Sequence, residues 1–516
     1  MLTTLTSGAV LGVEAYAVRV EVDVAFGMQV FHIVGLPDGA VREARLRVPA
    51  SIAHSGFALP PDRITVNLAP ANTRKDGTGF DAAIALGVLL GAHPDVARRE
   101  GLAGHMLVGE LGLDGTLRPV AGALPLALAA RAAGLDGLVM APESAQEASV
   151  VGGLEVYAAR DLRELWGWAT GEATLERCDG AQAREGEVFE DAALDFSEVA
   201  GQESARRALE VAAAGGHNVL MIGPPGSGKS MLAKRLPTIL PRMSAQESLE
   251  TTTIYSATGM ATPGAGLMRR RPFRHPHHTI SDVGLAGGGS GIPRPGELSL
   301  AHNGVLFLDE LPEFKKDALE VMRQPLEDGR VTISRSLTTL TFPASVMLVA
   351  AMNPCRCGHF GDDENAQCVC PIDKVRAYRA KVSGPLLDRI DIHVEVPAVN
   401  YDALKRAGDG ESSATIRARV EAARERQRAR FDGLPLHCNA QMRPAELRRF
   451  CALDEDGHRL MRKAVDAMGA SARAYDRLLK LARTIADLEG SASIEAWHLG
   501  EASQYRALDR KLRCAA

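Results

Sequence analysis

Aromatic residues are scarce in this 516-residue chain, at 4%, while Ala and Gly are abundant. That balance suits an α/β protein better than a β-sandwich. Cysteine is also sparse, with 8 in the whole chain. This is too few for a disulfide scaffold, and four of them cluster, which favours a reducing compartment and predicts a cytoplasmic protein. Long apolar runs are missing. The longest, residues 82–90 and 125–130, fall far short of the ~20 residues that span a bilayer, so no membrane partner is expected. The start, MLTTLTSGAVLGVEAYAV, lacks a basic segment and carries Glu14 in its most apolar stretch; it does not read as a secretory leader. Net positive charge is absent too: 59 basic against 64 acidic residues leave −5. Any nucleic-acid contact must therefore be a local basic patch.

What remains is ordinary for a globular chain. Hydrophobic residues are 46% and charged residues 24%, which excludes a wholly disordered protein. At ~150 residues per domain the length suggests about three domains. Residues 1–170 form the first, with alternating strands at 17–24 and 63–68 and buried helices at 82–90 and 124–133. Residues 171–198 are acidic and poor in large apolar side chains, and read as a linker. From 199 to 396 strands and helices alternate, as in a parallel sheet built from βαβ units. Residues 397–516 are helical, and 474–488 place Tyr475, Leu478, Leu479, Ala482 and Ile485 on one face.

The strongest motif is Gly223-Pro224-Pro225-Gly226-Ser227-Gly228-Lys229-Ser230, a full match to G-x-x-x-x-G-K-[ST] between an apolar strand and a helix. Glycines let backbone N–H groups turn inward onto phosphate oxygens at a helix N-terminus. Lys229 is expected to reach the β- and γ-phosphates of a nucleoside triphosphate, and Ser230 to ligate Mg²⁺. A ligand-free glycine turn is the bland alternative, and the complete match in this context disfavours it. A second strand, GVLFL, ends in Asp309 and Glu310, 80 residues beyond Lys229. Acids commonly end buried strands, but after a phosphate loop Asp309 is expected to hold Mg²⁺ and Glu310 to activate water. A third strand ends at Asn353, where an amide can bond the γ-phosphate or the lytic water, or simply form a turn.

The succession GPPGSGKS, VLFLDE, AAMNP and LLDRID resembles the AAA+ ATPases. Over nearly all of its length the chain looks like the magnesium-chelatase-like ComM/YifB family of bacterial proteins, through strings such as FRHPHHTISDVGLAGGG and SGPLLDRIDIHVEV. The resemblance implies an AAA+ core with a C-terminal helical lid. It implies that Arg389 serves as an arginine finger in a neighbouring subunit's site and that Arg473, on the lid, is a second sensor. Either arginine can instead pair with a nearby acid; Asp388 and Asp391 flank Arg389. A finger in trans implies a homo-oligomeric ring, expected to be hexameric.

The first 170 residues resemble the fold shared by the Lon protease domain and RadA-type recombination ATPases, a ribosomal S5 domain 2-like fold. Lys75-Asp76-Gly77-Thr78-Gly79-Phe80-Asp81 aligns with Lon's K-D-G-P-S-A-G, and Gly79 falls at the nucleophilic serine. Leu124 falls at the catalytic lysine. With both dyad members absent, peptidase activity is not expected.

Three features bear on what a motor would act on. Residues 331–342 read as a hairpin with Arg335 near its tip. A hairpin at this place touches DNA in the related MCM helicases, although an exposed hairpin arginine needs no such role. Arg269, Arg270, Arg271 and Arg274 form a basic run with Phe273, suited equally to a phosphate backbone or to a solvated loop. Cys355, Cys357, Cys368 and Cys370 make two C-x-C pairs, inserted in the core at 355–370, that can satisfy structural Zn²⁺ or remain free thiols. The leading expectation is an ATP- and Mg²⁺-dependent hexameric motor that migrates branched or single-stranded DNA during recombination, as in natural transformation. A protein remodeller of the magnesium-chelatase type is the alternative, and a Lon-like protease a weaker one.

Overall fold

A computed structural model describes the chain apart from residues 61, 181–193, 263, 290, 336–337, 362–367, 400–404, 406–409, 469–471 and 507–516. The described residues fall into two compact units. One comprises Met1–Val188 with Ala245–Arg269, the other Phe189–Ser244 with Arg270–Ala516.

The first unit is built on an eight-stranded mixed sheet. The long strands Leu2–Leu11 and Glu14–Ala25 pair antiparallel, and Arg63–Ala69 follows antiparallel on Glu14–Ala25. On the other side of Leu2–Leu11, the strands His105–Leu107, Gly137–Met140 and Glu155–Ala158 run parallel. Alternation along Glu14–Ala25 sends Val18, Val20, Val22 and Val24 inward, the period-2 pattern of a half-buried strand. Helix Asp81–Ala92 is apolar nearly all round and correspondingly buried.

Two details differ from the sequence reading. Glu176–Arg177, within the stretch expected to be linker, adds an edge strand to this sheet, and the Cys178 N–H donates to Val156 O at 2.8 Å. Helix Ala245–Ala257, expected within the core, belongs by its contacts to the first unit. The Gly122 N–H donates to Ser256 O (2.9 Å) and the Leu124 N–H to Ser256 Oγ (3.2 Å), while Leu249 and Leu267 pack on the Leu124–Leu126 cluster.

The second unit is built on five parallel strands, in the order Phe273–Arg274, Val305–Leu308, Met347–Met352, Val219–Ile222, Ile392–Glu395. Both faces are covered, so the three central strands are apolar throughout. Val219, Met221, Val305, Phe307, Val349 and Ala351 face the helices Glu203–Gly215, Lys229–Ile239 and Ser413–Arg430. Leu220, Ile222, Leu306, Leu308, Leu348 and Ala350 face the opposite layer. The C-terminal region is helical, with Ala472–Glu489 burying Leu478, Leu481, Ala482, Ile485 and Ala486. No described helix is long and apolar enough to cross a membrane.

Candidate active site

Parallel strands deliver their carboxyl ends to one edge of the sheet, where ligands of open α/β folds bind. Here register does the positioning. Ile222 pairs with Met352, and Leu308 with Ala350, so Gly223, Asp309 and Asn353 emerge side by side. The loop at 223–228 has no room for a side chain at its start: a Cβ on Gly223 would lie 2.0 Å from Val396 O. Gly226 and Gly228 adopt φ of +75° and +90°, the left-handed conformation that glycine takes at no steric cost. Helix Lys229–Ile239 then begins, with its free N–H groups at the loop.

Lys229 is 8% exposed. Its ammonium donates to Gly223 O (2.9 Å), Pro224 O (2.7 Å), Ser227 Oγ (3.3 Å) and Asn353 Oδ1 (3.3 Å). Every one of these acceptors is uncharged. Burial pushes the Lys229 pKa down, with the nearby Asp309 carboxylate opposing. A buried cation among neutral acceptors is a site fitted to an anion. Ser230 Oγ donates to Asp309 Oδ2 at 2.5 Å, which joins a hydroxyl and a carboxylate as oxygen donors of the kind Mg²⁺ takes. Glu310 follows directly, 56% exposed and at φ +54°, an uncommon conformation for a non-glycine residue. Its Oε2 lies 3.4 Å from His278 Nδ1.

The sequence-singled residues therefore divide. Lys229 bonds Asn353 and Ser230 bonds Asp309, with Glu310 adjacent. Arg389 is not among them: its guanidinium donates to Glu327 through a close ion pair and is 14% exposed. Arg473 lies exposed in the first turn of helix Ala472–Glu489. Arg335 is exposed at the end of a hairpin whose strands Arg330–Ser334 and Thr339–Pro343 pair from Ser334↔Thr339 to Arg330↔Pro343.

The basic run is corrected by its partners. Arg271 donates to Pro241 O (2.7 Å) and Asn303 O (2.7 Å), and Arg274 forms a two-pronged pair with Glu297 at 2.6 and 2.7 Å. Both guanidiniums brace the fold through these bonds. Arg270 is exposed and has interactions of its own. The following histidines lie beside the acid: His278 faces Glu310, and His275 packs on Phe307 at 4.7 Å.

Sequence reasoning passed over several positioning residues. Asn218, just before the loop strand, donates to Arg389 O (2.8 Å) and accepts from the Leu348 N–H (2.8 Å), tying three strand segments together. Gln202 Nε2 donates to Ser227 O (3.2 Å) and Pro397 O (2.6 Å). Arg477, one helical turn past Arg473, bonds Asp388 O closely and lies 3.8 Å from Asp391. His217 bridges Asp391 (3.1 Å) and Thr484 (2.9 Å). Burial pushes the Asp391 carboxyl up, but its bond to His217 and the charges of His217, Lys480 and Arg477 outweigh this and bring it down to about 2. The polar Asn218 heading an apolar strand was the one visible signal.

Residues 195–404 match the magnesium chelatase, subunit ChlI family, residues 20–144 the family of the ChlI subunit of Mg-chelatase, and residues 410–506 that of the ChlI C-terminal region. The YifB protein of Escherichia coli is 42% identical over 512 residues, covering 99% of this chain and 98% of its own. The chain belongs to the magnesium-chelatase ChlI-like family. Within that family the competence protein ComM of Haemophilus influenzae is 41% identical over 521 residues, 99% of each chain. Lon protease 2 of Bacillus subtilis is 32% identical over 149 residues, 26% of each. The family is one of AAA+ ATPases, which implies ATP and Mg²⁺ as its reactants.

Proposed function

We propose that this chain is the subunit of an ATP-driven ring motor that acts on branched or single-stranded DNA. The observation that carries the ATPase half is the bonded set Lys229–Asn353 and Ser230–Asp309 at adjoining strand ends. In this reading the loop N–H groups and Lys229 hold the β- and γ-phosphates, and Ser230 and Asp309 hold Mg²⁺. The metal neutralises charge on the phosphate oxygens. Glu310 accepts the proton of the attacking water, and Asn353 orients it. His278 is close enough to Glu310 to hold it between turnovers.

Charge that builds on the γ-phosphoryl group needs a further cation. Arg389, engaged with Glu327 in its own chain, is supplied to a neighbouring copy, and Arg473 comes from the lid. Assembly into a ring, expected to be hexameric, therefore completes the site. The DNA half rests on the exposed Arg335 at its hairpin end and on the family tie to a protein named for competence. Arg335 and Arg270, both exposed, are the candidate DNA contacts.

ATP hydrolysis measured without DNA, with single strands and with a four-way junction tests this reading, with Glu310→Gln as the control for contaminants. Strong stimulation by DNA, lost in Arg335→Ala, is the expected result. A rate indifferent to every DNA points instead to a motor that remodels a partner protein.

A further inference from the structure

Outside the nucleotide residues, the densest cluster of metal-binding side chains among those described is formed by Cys355, Cys357, Cys368 and Cys370. Their Sγ atoms all lie within 4.8 Å of one another. Cys355 and Cys357 are 3.3 Å apart, Cys355 and Cys368 3.8 Å, and Cys357 and Cys368 3.6 Å. None is in a disulfide. Four thiolates on a tetrahedral Zn²⁺, each about 2.3 Å from the metal, sit about 3.8 Å from one another. The sulfur spacing thus suits a closed structural site with no open position, and soft thiolates select zinc over Mg²⁺ or Ca²⁺.

The position of the cluster adds a second observation. Cys355 is fully buried and stands two residues after Asn353. The intervening Pro354 O accepts from Arg379 Nε at 3.0 Å. The Gly358 N–H donates to Cys355 O at 3.1 Å, closing a turn. Gly358 has φ +92°, and a Cβ there would lie 2.4 Å from Pro225 Cδ. The backbone of the knuckle therefore rests directly on the phosphate loop, while its first ligand continues the strand that ends in Asn353.

We infer that the four cysteines hold one structural Zn²⁺, and that this knuckle forms a wall of the nucleotide pocket, backing Pro225 and fixing Asn353 against Lys229. The zinc performs no step of hydrolysis; it cross-links Cys355 and Cys357 to Cys368 and Cys370. The second half rests on the nucleotide reading above, whereas the first does not.

Full-length protein from zinc-supplemented cultures is expected to carry one zinc per chain by elemental analysis. The double variant Cys368→Ser with Cys370→Ser is expected to carry almost none. Binding of a fluorescent ATP analogue with Mg²⁺ should weaken in that variant by roughly three- to tenfold, the net worth of about one hydrogen bond. Chelator-stripped wild-type protein should weaken likewise and recover on adding Zn²⁺, which decides the matter even where the variant fails to fold. Gly358→Ala keeps every ligand and should retain zinc yet bind the analogue less tightly.

Wild-type protein without zinc, with these four thiols reacting freely with Ellman's reagent, overturns the metal site. Metal-free protein that melts normally and binds the analogue with wild-type affinity overturns the wall. Zinc-loaded wild-type protein that binds no analogue at all sinks the nucleotide reading and the wall together, while the metal site stands.

Discussion

Two glycine-rich loops in this chain each carry a buried lysine, and they differ in the side chains that stand beside it. Lys229 and Lys75 both donate to loop carbonyls, and burial lowers the pKa of both. Beside Lys229 stand Asn353 and the Ser230–Asp309 pair, delivered by neighbouring parallel strands. Lys75 instead ties its loop through Thr73 O (2.8 Å) and a close bond to Pro70 O. A Cβ at Gly79 would meet Val108 Cγ1 at 3.0 Å, and Leu124 is wholly buried. The polar groups nearby are spent on structure: Arg47 pairs with the buried Asp81 at 2.8 Å. The first unit is Lon-like in fold, and apolar packing surrounds Gly79 and Leu124, where the resemblance to Lon places the dyad. The lesson is that chemistry resides in side chains grafted on a fold, not in the fold.

The comparison breaks most visibly at the proposed finger. Arg389→Ala should lower ATP turnover of the assembled protein by about 10³-fold or more, read at a concentration where wild-type protein is oligomeric. Assembled protein that hydrolyses ATP as fast with the alanine as without it removes the finger from the account. Glu310→Gln comes next, with turnover reduced by about 10²- to 10⁴-fold while the fluorescent ATP analogue still binds. If binding and turnover fell together, Glu310 would be a structural residue.

The first unit is sharpened by trying to restore what it lacks. Gly79→Ser combined with Leu124→Lys should yield no peptidase. It should instead destabilise the protein by about 3–5 kcal/mol, because an unpaired ammonium is forced into an apolar core. Denaturant unfolding of the full chain measures the cost, and casein the activity; cleavage by the double variant would mean that the old site had merely been disarmed.

A smaller effect concerns pH. The Asp391 carboxyl, ordinarily at 3.8, is held at about 2 in the folded protein. Between those values the unfolded chain binds more protons than the folded one, so stability grows as pH rises through this window. The Asp391–His217–Thr484 link to the C-terminal helices should thus be fully stabilising above about pH 4 and weaken as pH falls toward 2. Asp391→Asn should flatten that part of the stability–pH curve.

How much of this was legible in the sequence depends on how tightly chemistry restricts residue type. A phosphate loop admits few side chains, so Gly223, Lys229, Ser230 and the strand-end Asp309 and Asn353 are readable one by one, and the alternation of strands and helices gives the parallel core. Partnership is not readable in that way. Arg271 and Arg274 look like a phosphate-binding run until Pro241 O, Asn303 O and Glu297 are seen to hold them. Helix Ala245–Ala257 hid its allegiance because the face it buries is made of Ser248, Thr251, Thr252 and Ser256 around a single Ile254. Hydroxyls such as Thr252 and Thr253 bond backbone carbonyls, so hydrophobic periodicity has nothing to detect. Asn218 and Arg477 act on backbone groups far away in sequence, so even where a polar residue heading an apolar strand is visible, its partners are not.

The most direct test sets both regions against each other in one preparation: ATP hydrolysis and casein cleavage by full-length wild-type protein, beside Glu310→Gln. The account expects Mg²⁺-dependent ATP turnover that collapses in Glu310→Gln, and no casein cleavage in either protein. Casein cleavage that tracks the wild-type protein, or ATP turnover untouched by Glu310→Gln, would contradict it.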